Sequence, residues 1–447
     1  MYTETKNWKQ RAALFLASQA ITLFGSSLVQ FAIIWHVTLQ TSSGMWVTLL
    51  TLCSFLPQMA ISLFAGVWAD RTSRKRLIIL ADASIALATL ALALFLMGGI
   101  DDRASLAAIA VVSAIRSLGA GVQSPAVSAV IPQLIPEAHL PRVNGLYAGI
   151  QSVVQLAAPA AAGAVLALGS LPSILFIDVV TALVGIGMFS FLRVPKPVDG
   201  ESGKSASTFA DLGAGLRYTW GNRFLKKLLL VYGAFIFFSV PSGFLVTLMV
   251  ERTFGNSYFY LSTVEMLGFA GSALGGMLLG LWGGFRNRNK TLACGLAAYG
   301  LLSIGVGLAD SFWLFAILMC GLGLCIPVAQ TMVTTLVQEK AAPEFLGRVF
   351  SLLGVMFAGF MPLGMLLFGP LADALPVQTL VIACALPILG LAGLILRSKA
   401  FYRQDVHDRS MAEEQADAGQ PHGLDAEGAE TGGHLQTGNA SRNVGAD

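Results

Sequence analysis

The chain has 447 residues, of which 55% are hydrophobic and only 12% charged, with a formal net charge of +3. Soluble domains carry about twice that share of charge, and so much apolar surface cannot be hidden beneath the polar skin a globule needs. A cytosolic enzyme, a secreted module and a disordered regulator are excluded, whereas a dozen spanning helices of roughly 20 residues each fit the length.

Lys6, Lys9 and Arg11 precede the first apolar run, at about 12–40. That run is longer than the ~7–15-residue core of a signal peptide, so it is expected to be an uncleaved first span. Further runs follow at about 43–69, 77–97, 105–132, 144–168 and 173–192, then 226–250, 259–284, 291–309, 311–337, 349–374 and 376–397. Backbone groups in lipid must be paired within the segment, and these runs are too long for barrel strands, so helix is the expected state. With the N-terminus inside, the inner segments hold 25 Lys and Arg residues and the outer loops only Arg103 and Arg252. That bias predicts a cytoplasmic-membrane protein with both termini in the cytoplasm.

The interval at 193–225 separates six runs from six. Within it Phe209, Leu212, Leu216, Trp220 and Phe224 recur at helical spacing beside Arg217, Arg223, Lys226 and Lys227, with Thr208 and Asp211 as a capping box. A helix lying on the inner membrane surface is expected there. After Ser398 large apolar side chains almost vanish, as in a disordered tail. The predicted organisation is a cytoplasmic N-terminus (1–11), a six-helix bundle (12–192), a cytoplasmic linker (193–225), a second six-helix bundle (226–397) and a disordered cytoplasmic tail (398–447).

The five cysteines all lie in apolar runs without a Cys-x-x-Cys pair, and only His36 and His139 belong to the body of the chain. No metal site, cofactor or disulfide framework is expected. There is no His-Glu-x-x-His, no Gly-x-Ser-x-Gly and no Gly-x-x-x-x-Gly-Lys-Ser/Thr, so neither an intramembrane enzyme nor an ATP-driven pump is indicated. Nothing points to nucleic acid, and a monomer is expected.

Two echoes link the halves. Gly66-Val67-Trp68-Ala69-Asp70-Arg71-Thr72-Ser73-Arg74-Lys75-Arg76 aligns without a gap on Gly280-Leu281-Trp282-Gly283-Gly284-Phe285-Arg286-Asn287-Arg288-Asn289-Lys290. In the next inner turns Pro136-Glu137 precedes Arg142-Val143, and Pro343-Glu344 precedes Arg348-Val349. The expected fold is therefore all-α, with twelve transmembrane helices in two pseudo-symmetric six-helix halves and a substrate path between them.

Gly66 to Arg76 resembles the inner-loop motif of the major facilitator superfamily, with Ser73 where that family has a glycine. Asn7-Trp8-Lys9, Gln30-Phe31-Ala32-Ile33-Ile34, Phe55-Leu56-Pro57, Ile115-Arg116-Ser117, Ile177-Asp178-Val179, Thr263-Val264-Glu265 and Gly347-Arg348-Val349-Phe350-Ser351-Leu352 are similar to its macrolide-efflux branch. The resemblance implies alternating-access export of macrolide-like amphiphilic drugs across the cytoplasmic membrane, driven by proton antiport. It also implies that Gly66, Asp70, Arg71, Arg74, Lys75 and Arg76 latch the inner ends of the halves. Gly145, Pro159 and Gly163 resemble the fifth-span motif of drug–proton antiporters. Export of another amphiphile, such as a siderophore, and a non-transporting receptor on the same scaffold are the alternative readings.

Ionisable groups inside spans are expensive and are functional candidates by default. Glu265, Arg116 and Asp178 are the proton-coupling candidates, and Asp82 is expected to pair with the inner basic loop. An amphiphile's cavity needs apolar walls with a few polar contacts. Gln19, Gln30, Gln123, Gln151, Gln155 and Gln330, with Phe31 and Trp35, are the candidates to line it.

Overall fold

Lipid offers the backbone no hydrogen-bond partner, so each apolar run closes its own ladder and ends where a polar side chain can take over. Ser43, Asn222, Ser257 and Asn287 each stand at a helix start and accept from backbone N–H groups one turn on. The computed structural model describes residues 8–99, 101–136, 139–192, 194, 216–342 and 345–398, with backbone alone at Leu63, Gly66, Val67 and 69–71. The amphipathic face at Phe209 and Leu212, the capping box and the tail lie outside the described residues.

The described helices are α1 (Trp8–Thr41), α2 (Gly44–Arg71), α3 (Arg74–Met97), α4 (Asp102–Leu134), α5 (Leu140–Leu168) and α6 (Leu171–Ser190). They continue with α7 (Arg223–Phe244), α8 (Val246–Phe254), α9 (Tyr258–Trp282), α10 (Arg288–Leu308), α11 (Phe312–Lys340), α12 (Leu346–Ala374) and α13 (Val377–Arg397). Twelve spans result, because α7 and α8 form one span, Arg223–Phe254, interrupted at Leu245. The interruption follows Pro241 and Gly243, which weaken the helical ladder in the preceding turn.

The packing repeats itself. In the first half α1 packs on α5 and α6, α3 on α4 and α6, and α2 on α4. In the second half α7 packs on α12 and α13, α10 on α11 and α13, and α9 on α11. Every pairing has its counterpart six spans later, and the principal pairings between the halves, α5 with α9 and α2 with α12, are also each other's counterparts. Small residues let the helices approach closely: Gly121 of α4 lies against Gln58 of α2, and Gly323 of α11 against Gly268 of α9.

An aromatic stack repeats as well. Trp8, opening the first span, lies on His139 at a centroid distance of 4.2 Å, and Tyr218, before the seventh span, lies on Phe345, also at 4.2 Å. His139 and Phe345 are the residues immediately before α5 and α12. The turn between α2 and α3 accommodates the serine that stands where the superfamily motif has a glycine. Ser73 has φ −65° and ψ 110°, extended geometry that any residue adopts, so serine in place of glycine costs nothing there. Its counterpart turn does need glycine, since Gly283 and Gly284 have φ of 73° and 80°.

The halves are locked together at the end remote from the basic turns, here called the distal end. Asp373, in the last turn of α12, accepts from the Gly44 and Met45 N–H groups at 2.6 and 2.9 Å and from the Ser43 hydroxyl at 3.0 Å. It thus caps α2 of the other half, where unpaired N–H groups and the helix dipole favour an anion. Arg252 of α8 pairs with Asp373 at 3.0 Å and donates to the Ala372 and Ser42 carbonyls, each at 2.5 Å. The Ser42 hydroxyl donates to Glu251 at 2.6 Å. Ser42 has φ 48°, a left-handed conformation costing a non-glycine residue of order 1–3 kcal/mol, which these contacts offset.

Below this lock Thr48 donates to the Met365 carbonyl at 3.2 Å, beside Gly369. Farther toward the basic end the seam opens. Gly145, Gly149, Gln151 and Gln155 of α5 are exposed while Ala158, Pro159, Ala162 and Gly163 are buried. On α12, Gly347, Ser351 and Gly354 are exposed while Met361, Pro362 and Gly364 are buried. The hollow between the halves is closed distally and open at the basic end.

Asp373→Ala removes charge-assisted hydrogen bonds worth about 1.5–3 kcal/mol each, so the distal-open population should rise by at least about tenfold. Labelling of a single cysteine at Thr48→Cys by a membrane-impermeant thiol reagent, with the five native cysteines replaced, reads that shift.

Candidate transport site

Arg116 lies midway along α4 and stays charged at any physiological pH, so its burial demands an anion. Asp178 of α6 supplies it, with Nη1 to Oδ2 at 2.5 Å and side-chain exposures of 10% and 1%. Thr89 of α3 donates to the same carboxylate oxygen at 3.2 Å and contacts the guanidinium, while Nη2 of Arg116 reaches the Ser26 carbonyl of α1 at 3.4 Å. Four helices of the first half converge on one ion pair. Gly25 of α1 makes room for it, since a Cβ there would press on Thr181 and on Asp178 Oδ1. Each charge is neutralised at close range and enclosed, the arrangement of a pair that orients helices.

Glu265 stands elsewhere. It lies on α9, seven residues beyond Tyr258 or about 10 Å from the distal end of that helix. Ser262, one turn before it, abuts Gly163 of α5, and Phe269, one turn after it, meets Phe31 of α1 at 6.1 Å. Residues three and four apart share a helix face, so Glu265 is on the face of α9 turned to the first half. It is partly exposed, and among the described residues no ion pair or hydrogen bond engages its carboxylate. The structure therefore separates two candidates that the sequence grouped: Arg116 is bound to Asp178 inside one half, and Glu265 lies on the seam between halves.

The cavity candidates divide likewise. Gln151, Gln155 and Gln330 are exposed, and Gln30 and Phe31 are half-buried. Trp35 and Gln19 are fully enclosed, and among the described residues neither the Trp35 indole N–H nor Gln19 Oε1 has a hydrogen-bond partner. These two do not line open space in this conformation, contrary to expectation: Trp35 packs beneath Phe31 at 5.6 Å in the core of α1. Gln123 is turned to Asp82, its Nε2 donating to Oδ1 at 2.6 Å. That also corrects the expectation for Asp82, whose partner is an amide and not a cation of the basic turn.

In the basic turn, Arg74 donates to the Ala129 carbonyl at 2.8 Å and Lys75 to the Ser190 and Leu192 carbonyls at 2.6 and 2.8 Å, all within the first half. Arg76 is exposed. The side chains of Asp70 and Arg71, and the Gly66 position, lie outside the described side chains. In the antiporter-like segment Gly145 faces open space, Pro159 is buried, and Gly163 meets Ser262 so closely that a Cβ would fall 2.7 Å from its side chain.

The distal lock was not anticipated from sequence. One signal was present: Asp373 sits in the last turn of its own helix, where the dipole disfavours an anion, so its natural partner is the start of another helix.

Residues 15–365 match the sequence profile of the Major Facilitator Superfamily. The chain belongs to that superfamily. It is a multi-pass membrane transporter and not an enzyme. It is 32% identical over 376 residues to macrolide efflux protein A of Streptococcus pyogenes, covering 83% of this chain and 92% of that protein. It is 25% identical over 406 residues to the multidrug efflux pump Tap of Mycobacterium tuberculosis, covering 88% and 94%. A bacterial homologue of the lysosomal transporter Spinster, inward-facing and unoccupied, superposes with a TM-score of 0.62 at 14% identity, covering 92% of this chain and 98% of that one. A bacterial homologue of the iron transporter ferroportin, also inward-facing, gives 0.65 at 14% identity, covering 87% and 99%.

Asp178→Asn leaves Arg116 buried without a counter-charge, which typically costs 3–5 kcal/mol, so thermal unfolding in detergent should move sharply downward. The double change Arg116→Met with Asp178→Leu removes both charges and should recover most of that loss.

Proposed function

We propose that the protein is a drug–proton antiporter that exports macrolide-like amphiphiles from the cytoplasm by alternating access. The observation that carries this reading is the position of Glu265: a carboxylate without an ionic partner, on the seam of a transporter related over most of its length to macrolide and multidrug efflux proteins. A group that takes up a proton where the two halves meet is placed to exchange it against a substrate held in the same hollow.

The positive-inside bias assigns the basic end, and with it both termini, to the cytoplasm. The conformation described here is then the inward-open one, ready to receive drug. Gln30, Phe31, Gln151, Gln155 and Gln330 offer the mixed apolar and amide surface that suits a large, sparsely polar ligand. Asp70, Arg71, Arg74, Lys75 and Arg76 act as the inner latch in the opposite conformation, and a few kcal/mol between the two suffices. The transporter works as a monomer, with protons, the drug and the bilayer as its partners.

Accumulation of a radiolabelled macrolide in cells with and without the protein, with and without a protonophore, tests this reading. Expression should lower accumulation, and the protonophore should abolish the difference. An effect that survives the protonophore rejects proton coupling, and no effect of expression rejects macrolide export. Glu265→Gln should reduce efflux and drug-driven proton movement by at least about tenfold while leaving expression intact.

A further inference from the structure

Among the described residues, the first half encloses two carboxylates and one guanidinium. Asp178 has Arg116, at 2.5 Å. Asp82 of α3 is only 3% exposed, and no cation pairs with it among the described residues. Its recorded contact is the neutral amide of Gln123 at 2.6 Å. A buried carboxylate without a counter-charge is tolerated only if it can hold a proton.

The surroundings favour the same conclusion. On α4, Asp82 faces Gln123, with Arg116 seven residues nearer the distal end and engaged by Asp178 of α6. On α5, Tyr147 is half-buried and packs against Phe15 of α1, and Gln151, one turn on, is exposed. On α1 the fully buried Gln19 is uncharged. On α3 itself Arg74 and Lys75 donate to backbone carbonyls, and Arg76, six residues before Asp82, is exposed. Asp82 is eight residues from the start of α3, about 12 Å from the end at which the hollow is open.

The repeat shows that the fold itself does not need an acid here. Continued without a gap, the register of the two basic turns pairs Asp82 with Leu296 of α10, which is only 1% exposed.

We propose that Asp82 is a second proton-binding site of this transporter, inside the first half, in contact with Gln123 of α4. The proposal rests on the antiport reading above and adds to it a site that is not on the seam. A neutral Asn at 82 mimics the protonated acid and keeps an acceptor for Gln123.

The test uses proteoliposomes holding the full chain and an internal pH dye, with an imposed erythromycin gradient. The wild type should move protons against the drug. Asp82→Asn should bind erythromycin within about threefold of wild type, lose the pH dependence of that binding, and cut drug-driven proton flux by at least about tenfold. Asp82→Glu should restore the flux. Wild-type flux and pH dependence in Asp82→Asn would overturn the role of Asp82 and leave the antiport reading standing. A wild type that carries erythromycin without protons would overturn both. If Asp82→Asn cannot be reconstituted, pH-difference infrared spectra of wild type and Asp82→Glu decide: a displaced carboxylic carbonyl band supports the site, and identical bands reject it.

Discussion

Two helix pairs, α2 with α12 and α5 with α9, carry the principal packing between the halves, and the rest of the architecture is arranged around that narrow seam. Each half has its own interior, in which five helix pairings recur in the same order. Across the seam, glycine takes the place of larger side chains where the backbones come nearest, at Gly44 and Gly369 on one pair and Gly163 on the other. Small residues give close van der Waals contact without deep interdigitation. Such a contact holds one arrangement firmly and still lets the halves part as rigid bodies.

At the distal end polar groups reinforce that contact. Asp373, Arg252 and Glu251 of the second half engage the short turn that joins α1 to α2, and Asn256 donates to the Leu39 carbonyl in the last turn of α1. The interiors of the halves, by contrast, differ in kind. The first is organised about the Arg116–Asp178 pair, whereas the second has a neutral contact between Ser242 and Tyr299 at 2.9 Å. Pseudo-symmetry governs the course of the helices and not the chemistry between them. Charge is enclosed in the first half, and in the second the carboxylate of Glu265 lies on the face turned to its partner half.

The twelve spans and their division six and six were legible because lipid forces a simple rule on sequence: an uninterrupted apolar run must close its own hydrogen bonds. The basic turns were legible because cations cluster at one side. The partners of buried polar groups were not. Arg116 was conspicuous in its run, yet nothing in spacing shows that Asp178, 62 residues on, is the acid that meets it and that Glu265 is not. Gln19 and Trp35 fell on a helix that borders the hollow but on its enclosed side, since the apolar character of α1 extends around its whole circumference and gives no face to read. The break at Leu245 also escaped notice, because Pro241 sits in a continuous apolar run like several prolines that leave their helices intact.

The stacks of Trp8 on His139 and of Tyr218 on Phe345 bear on ancestry. No identity relates these four residues, an indole on an imidazole in one place and a phenol on a phenyl ring in the other. What duplication has preserved is a pair of flat surfaces fastening the entry of each bundle to the base of its fifth crossing. The two halves therefore share a geometry that comparison of their letters does not show.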